Sequence, residues 1–337
     1  MLNFDADRYR RIQDGAVQTA PRLGEILDRQ LDRGLSNVLF LGAGGAGMLM
    51  APAHELLSEH STLPTRRMVG AELAARGAAD LGPGTLVIVP SLSGTTPDAL
   101  QHIASVQDAG ARVLAMVGDG DSPVARLADE VVVNPAADDT SSESFYLQSH
   151  IFAVTLLERR QEWESAATHL ETLGTLPESL LSVKRDIESD APALAAHLAG
   201  HDWHIFTSAG SSWTEAHYYA MCILEEMQWI RTRPVHASDF FHGTLELLEP
   251  GVSLVLLKGE GPTREIAERV ERFAARVTDD LLVLDAARFE LAGLTELDRG
   301  LLSHVVLAAA LERVSAHLEV LRDHPLTTRR YYRRVSY

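Results

Sequence analysis

The chain holds a single cysteine, Cys222. That excludes an internal disulfide and a cysteine-ligated zinc site, and it points to a reducing compartment. Positive charge is also short: the formal net charge is −17. A surface of that sign repels nucleic-acid phosphate and anionic lipid, so neither is expected as a partner. No apolar run is read as approaching the ~18 residues of a membrane span. The opening "MLNFDADRYRRIQDG" carries charges throughout and has no apolar centre, unlike a signal peptide. No low-complexity segment stands out, and no histidine pair is read at metal-ligand spacing, so the expectation is a metal-free protein of the cytoplasm. At 46% hydrophobic and 23% charged residues the chain is globular rather than disordered. Its 337 residues suit two domains of ~150 each.

What is present is one plan written twice. "NVLFLGAGGAG" (Asn37–Gly47) is an apolar run that ends in glycines, as a buried parallel strand does when it opens into a helix. "TLVIVPSLSGTTPDAL" (Thr85–Leu100) repeats strand, polar turn and helix, and "ARVLAMVGDGDSP" and "EVVVNP" add two further strands. The second half answers with "DWHIFTSAGSSW", "SLVLLKGEGPTREIAERV" and "DDLLVLDAA". "KGEGPTRE" lies over "SLSGTTPD" at an offset of 167 residues, a domain-sized duplication. Strands alternating with helices predict an α/β protein whose parallel sheets are covered on both faces. The expected organisation is an N-terminal helix over 1–35, a first domain over 36–160, a helical linker over 161–200, a second domain over 201–322 and a tail over 323–337. Asp7–Arg33 is read as one amphipathic helix.

The two copies differ at one turn. The first reads Ser91-Leu92-Ser93-Gly94-Thr95-Thr96-Pro97, four hydroxyls between a strand end and a helix start. Backbone N–H groups and the helix dipole favour an anion there, and hydroxyls add donors. Strand C-termini of open parallel sheets are also where ligands collect. Single Ser or Thr residues at such a turn are more often caps; four around one glycine favour phosphate. The second copy replaces the serines with Lys258 and Glu260, and the glutamate repels phosphate.

"LEEMQWIRTRPVHASDFFHGTLEL" (Leu224–Leu247) is the second dense stretch. With Thr214–Ile230 read as an α-helix, Ala216, Ala220, Ile223, Met227 and Ile230 form a buried stripe. At about 100° per residue Glu225 then faces solvent and Glu226 sits at the stripe's rim, partly desolvated. Glu226 is the better general base by that phase, with a structural carboxylate paired to an Arg or His as the equal alternative. His242 precedes Gly243 in a loop that Phe240 and Phe241 anchor, Asp239 helps to orient the loop, and His236 is a rival acid–base residue.

"SLSGTTPD" resembles the Ser-x-Ser-Gly-x-Thr-x-Asp loop of sugar isomerase (SIS) domains, and "CILEEMQWIRTRPVHASDFFHGTLEL" resembles the matching segment of bacterial fructosamine 6-phosphate deglycases. "SESFYLQ" and "HPLTTRRYYRRVSY" share the likeness, which extends along nearly the whole chain. Ala46 and Leu92 depart from it, standing where SIS relatives carry Ser and Gln. The resemblance implies two tandem flavodoxin-like SIS domains. It implies a phosphosugar held by Ser91, Ser93, Gly94 and Thr96, with Ser141 reaching the sugar. Catalysis falls to Glu226 and His242, without metal or cofactor, in a site shared between subunits of a homodimer. The expected reaction is deglycation of a ketosamine 6-phosphate; aldose–ketose isomerisation and phosphosugar sensing are the alternatives. With no glutaminase region in the chain, glucosamine-6-phosphate synthesis is not expected. The arginine-rich end, "RRYYRRVSY", is either pinned to an acidic patch or a flap over an anionic substrate.

Overall fold

Strands form where apolar residues run without alternation, because a parallel sheet between two helical layers is dry on both faces. In the computed structural model, which describes residues 1–136, 141–332 and 334–335 (of Ser141 the backbone only), β1 (Asn37–Leu41) and β3 (Thr85–Ser91) are buried at every position. With β2 (Thr65–Met68), β4 (Arg112–Val117) and β5 (Glu130–Val133) they make a wholly parallel sheet in the order β2-β1-β3-β4-β5. A second sheet has β6 (Trp203–Ser208), β7 (Arg231–His236), β8 (Ser253–Lys258) and β9 (Leu281–Asp285), again all parallel, in the order β7-β6-β8-β9. The two orders coincide strand for strand over their first four members, the flavodoxin-like doubly wound pattern. β3 and β8 each run into a helix, Pro97–Asp108 and Arg264–Ala274.

The edge strands β2 and β7 carry no apolar run. Their sequences are "TRRM" and "RTRPVH", and an edge position explains both the charges and the tolerance of Pro234. The N-terminal segment is two helices, Ala6–Val17 and Ala20–Asp32, rather than one; Pro21 sits in the first turn of the second, where its missing N–H costs nothing.

The chain divides into two compact units, 6–177 and 1–5 with 178–337. In the first, Val87, Val89, Val113, Ala115 and Val117 pack with Ile103 and Val106 beneath the sheet. In the second, the helix Glu296–Leu321 is the core element. It starts in a capping box of Thr295 and Asp298. At 26 residues it is long and apolar enough to cross a membrane, contrary to the expectation that no run approaches that length; 89% of its most apolar stretch is buried inside the fold. Buried charges in this unit are paired: Lys184 with Glu312, and Arg313 with Glu188 and the carbonyl of Leu2.

Candidate active site

The first-copy turn lies at the C-terminal end of β3. Ser91 closes the strand and is buried, Ser93 and Thr95 stand exposed with their hydroxyls 3.0 Å apart, and Gly94 reverses the chain at φ +61°. Glycine is required there twice over: the conformation is left-handed, and a Cβ would lie 2.0 Å from Oγ of Ser122. The Gly94 carbonyl accepts from the Val124 N–H at 3.0 Å, and the Leu92 carbonyl from Gly118 at 3.0 Å, so neighbouring loops fix the turn. Thr96 holds the N-cap position of Pro97–Asp108, but its hydroxyl makes no capping bond. Capping therefore does not account for Thr96. Ser91, Ser93, Gly94 and Thr96 come together in one turn at a helix N-terminus. Ser141 begins the helix Ser141–Arg159, and its side chain lies outside the described residues.

The equivalent turn after β8 is filled by its own charges. Lys258 Nζ lies 2.8 Å from Glu271 and 3.2 Å from Asp285. Arg264 donates to both carboxylate oxygens of Asp285, at 2.8 and 2.6 Å, and Glu260 pairs with Arg299. Burial alone would raise the Asp285 pKa, but hydrogen bonds from Arg264, the Ala287 N–H and Lys258 outweigh it and hold the carboxyl at about 2.

The segment around Glu226 departs from the α-helical phase. An α-helix over Ser211–Tyr218 widens into a π-helix over Tyr219–Gln228. The buried positions become Ala220, Leu224 and Gln228, in place of Ile223 and Met227. The wider turn moves Glu226 off the apolar rim predicted for it: its side chain is 38% exposed and accepts from Arg329 Nε at 2.8 Å. Glu225 is also exposed and accepts from the Thr232 hydroxyl at 2.6 Å. The π-helix ends at Trp229, whose φ of +57° is strained for so bulky a residue. The tail holds that turn. Arg330 lies 4.0 Å from the Trp229 ring centroid, His324 packs edge-on against the ring at 4.4 Å, and Gln228 donates to the His324 carbonyl at 2.7 Å. Of the arginines in the tail, Arg329 is thus pinned to an acid, and that acid is Glu226 itself. A tail pinned to acidic groups is one of the two expectations for it; which acid it meets, and the π-helix, are not legible in the sequence.

His242 follows the short helix Ala237–Phe240 and is exposed; its N–H bonds the Asp239 carbonyl at 2.9 Å. Asp239 therefore orients the loop through its backbone. Phe240 is fully buried against Phe241 and Phe273, which anchors the loop as expected. With Phe241, Ile266 and Arg269, His242 lines a shallow groove of about 280 Å³. His236 is committed elsewhere: it caps Ala237–Phe240 by accepting from the Ser238 N–H at 3.2 Å.

The structure does not bring Glu226 and His242 together along one chain. Glu226 precedes β7 and His242 follows it, so they flank opposite ends of a strand that spans roughly 17 Å. The lone cysteine, Cys222, is buried and free. Burial, reinforced by the charges of Glu226, Glu215 and Glu225, pushes the Cys222 thiol up to about 12. One expectation fails outright: histidines do meet at ligand spacing, since His197, His201 and His204 converge. They lie at the N-terminal edge of the second sheet, away from the loops described above.

A family model, the SIS domain, matches residues 35–157. The fructosamine deglycase of Bacillus subtilis is 30% identical over 309 residues, spanning 90% of this chain and 93% of that protein. Fructoselysine 6-phosphate deglycase of Escherichia coli is 24% identical over 93% of this chain and 90% of its own length. Among solved structures, a Bacillus subtilis protein assigned provisionally as a phosphosugar isomerase superposes with a TM-score of 0.88 at 27% identity, covering 96% of this chain and 99% of that one. The C-terminal domain of glucosamine-fructose-6-phosphate aminotransferase from Francisella tularensis shares the fold, with a TM-score of 0.80 at 13% identity and 95% coverage of each chain. The duplicated parallel sheets, the hydroxyl turn and these likenesses agree: the chain belongs to the SIS-domain fructosamine deglycase family and is a deglycase-like enzyme of that family.

Proposed function

We propose that the protein cleaves a ketosamine (Amadori) 6-phosphate to glucose 6-phosphate and a free amine. Ser91, Ser93 and Thr96 hold the phosphate with backbone N–H groups near Gly94, and Ser141 contacts the sugar. His242 assists opening of the cyclic ketosamine. Glu226 removes a proton from C1 and returns one to C2, which converts the ketosamine through its enolamine to an aldimine at C1. Water then adds at C1, the C–N bond breaks, and the amine leaves with the proton. The substrate's own C2 carbonyl takes up the electron pair of the C1–H bond, and the nitrogen lone pair drives protonation at C2.

The observation that carries this reading is the asymmetry of the two turns. One presents hydroxyls that helix capping does not consume, and the other is closed by ion pairs. The separation of Glu226 and His242 across β7 supports a second element: one centre can use both only if they come from two copies of the chain, so the working unit is a homodimer or larger. The Arg329–Glu226 contact supports the tail as a flap seated on the base, which substrate must displace or rearrange.

The test is incubation with synthetic fructoselysine 6-phosphate, following glucose 6-phosphate and lysine together. Equal release of both supports the proposal. A new phosphosugar without amine indicates an isomerase, and binding without turnover indicates a sensor.

A further inference from the structure

A second site stands at the opposite edge of the second sheet from the loops at its strand C-termini. "HLAGHDWH" leaves the last turn of the helix Ala191–Ala199 and enters β6, and the reversal brings His197, His201 and His204 together. One ring nitrogen of each lies within 4.8 Å of those of the other two.

The hydrogen bonds decide which nitrogens are available. A carbonyl only accepts, so an imidazole nitrogen facing one carries the proton. His204 turns Nε2 to the Leu198 carbonyl at 3.0 Å, which leaves Nδ1 as its lone-pair nitrogen. His201 turns Nδ1 to the His197 carbonyl at 2.9 Å, which directs Nε2 away from the helix. Second-partner bonds of this kind orient the rings of metal-ligating histidines. Nδ1 of His204 accepts from the Ser253 hydroxyl and Nε2 of His197 donates to the same oxygen, at 2.8 Å each, so both rings face one point; a cation there replaces the His197 proton and displaces the hydroxyl. Asp280 lies 3.1 Å from Nε2 of His201 and brings negative charge.

We infer that His197, His201 and His204 form a binding site for a divalent transition metal of the zinc type. Tetrahedral zinc with bonds of about 2.0–2.1 Å needs ligand nitrogens roughly 3.4 Å apart, so modest ring rotations from the present spacing complete it. Three neutral imidazoles with water in the fourth place suit zinc, nickel or cobalt better than calcium or magnesium. The site joins a helix C-terminus, where a cation meets the favourable end of the dipole, to the starts of β6 and β8. Its role is to clamp that helix to the sheet, not to take part in turnover.

The experiment uses the full chain, free of any affinity tag and stripped with EDTA, titrated with Zn²⁺ by calorimetry and by thermal melting. Wild type binds one Zn²⁺ per chain at micromolar Kd or tighter, and 100 µM Zn²⁺ raises Tm by roughly 3–6 °C. His197→Gln and His201→Asn, at half-buried positions, keep the wild-type Tm in EDTA, bind at least tenfold more weakly and lose the Zn²⁺-dependent rise. Co²⁺ in place of Zn²⁺ gives the visible absorption of a low-coordinate site in wild type only. The inference is overturned if Zn²⁺ leaves Tm unchanged. It is equally overturned if the variants bind as tightly as wild type, or if they lose stability in EDTA with no difference in Zn²⁺ response, which would make the histidines a helix cap alone.

Discussion

The two sheets share strand order and turn position, but their loops have parted. At offset 167, Ser91 faces Lys258, Ser93 faces Glu260 and Pro97 faces Arg264, while Gly94 and Gly261 keep positive φ. The turn geometry is shared while the side chains around it differ. Where the first copy offers hydroxyls at the head of a helix, the second buries Lys258 among Glu268, Glu271 and Asp285 and pairs Glu260 with Arg299. On the proposed function the second sheet holds no phosphate and instead carries, on either side of β7, the two residues for proton transfer. By that reading duplication has separated binding from chemistry. Each half should accordingly fail in its own way when altered.

The largest effects belong to the second sheet's Glu226 and His242. Glu226→Gln and His242→Asn should each lower turnover by roughly 10² to 10⁴ while glucose 6-phosphate still binds. Glu225→Gln and His236→Asn should leave turnover near wild type, as measured by single-turnover amine release. Because β7 keeps the pair apart within a chain, mixing the two inactive variants under subunit exchange should restore about a quarter of wild-type activity: half the dimers are hybrids, each with one intact centre. No recovery in a mixture shown to exchange would place both residues in one chain's centre.

Next come the first-copy hydroxyls. Ser91→Ala with Ser93→Ala should raise KM by on the order of 10²-fold, since each hydrogen bond to a charged group contributes ~1.5–3 kcal/mol. The Tm should move much less than KM, the change being confined to one turn. Smaller still, and in stability rather than KM, is the effect of the second turn. Asp285→Asn removes the partner of Arg264 and Lys258 and should cost about 1–2 kcal/mol, the partial exposure of the cluster keeping the figure low. The sign in pH follows: the folded carboxyl sits at about 2, below its usual 3.8, so its contribution is complete above about pH 4 and is lost as pH falls toward 2. Acid melts of wild type should show that loss, and Asp285→Asn should show less of it. The smallest effect is expected from Arg329→Gln. With its contact to Glu226 gone but the Trp229 packing retained, kcat should fall about tenfold or less, a fraction of one acid–base group's contribution, with Tm nearly unchanged.

Much of this was legible from residues alone. The buried strands announce themselves as apolar runs, the duplication as a repeated strand–turn–helix, and the asymmetry of the two turns as hydroxyls present in one copy. What escaped has physical reasons. β2 and β7 are edge strands that need no apolar face, so "TRRM" and "RTRPVH" look like loops. The π-helix keeps helical composition while changing the angle per residue, so an argument from α-helical phase places Ala216, Ala220, Glu225 and Ile230 correctly but misplaces Ile223, Glu226 and Met227. Arg329 lies 103 residues from Glu226, a contact no periodicity reports. The histidine cluster depends on a chain reversal between a helix end and a strand start, although its spacing of four and three residues was open to view.

The measurement that bears most directly on the division between the halves is calorimetric titration of glucose 6-phosphate into wild type, Ser93→Ala/Thr96→Ala and Thr263→Ala. One site per chain is predicted in wild type, weakened at least tenfold by the first-turn substitutions and unchanged by the second. Two sites per chain, or equal weakening from Thr263→Ala, would contradict the account, because both copies would then still be binding phosphate.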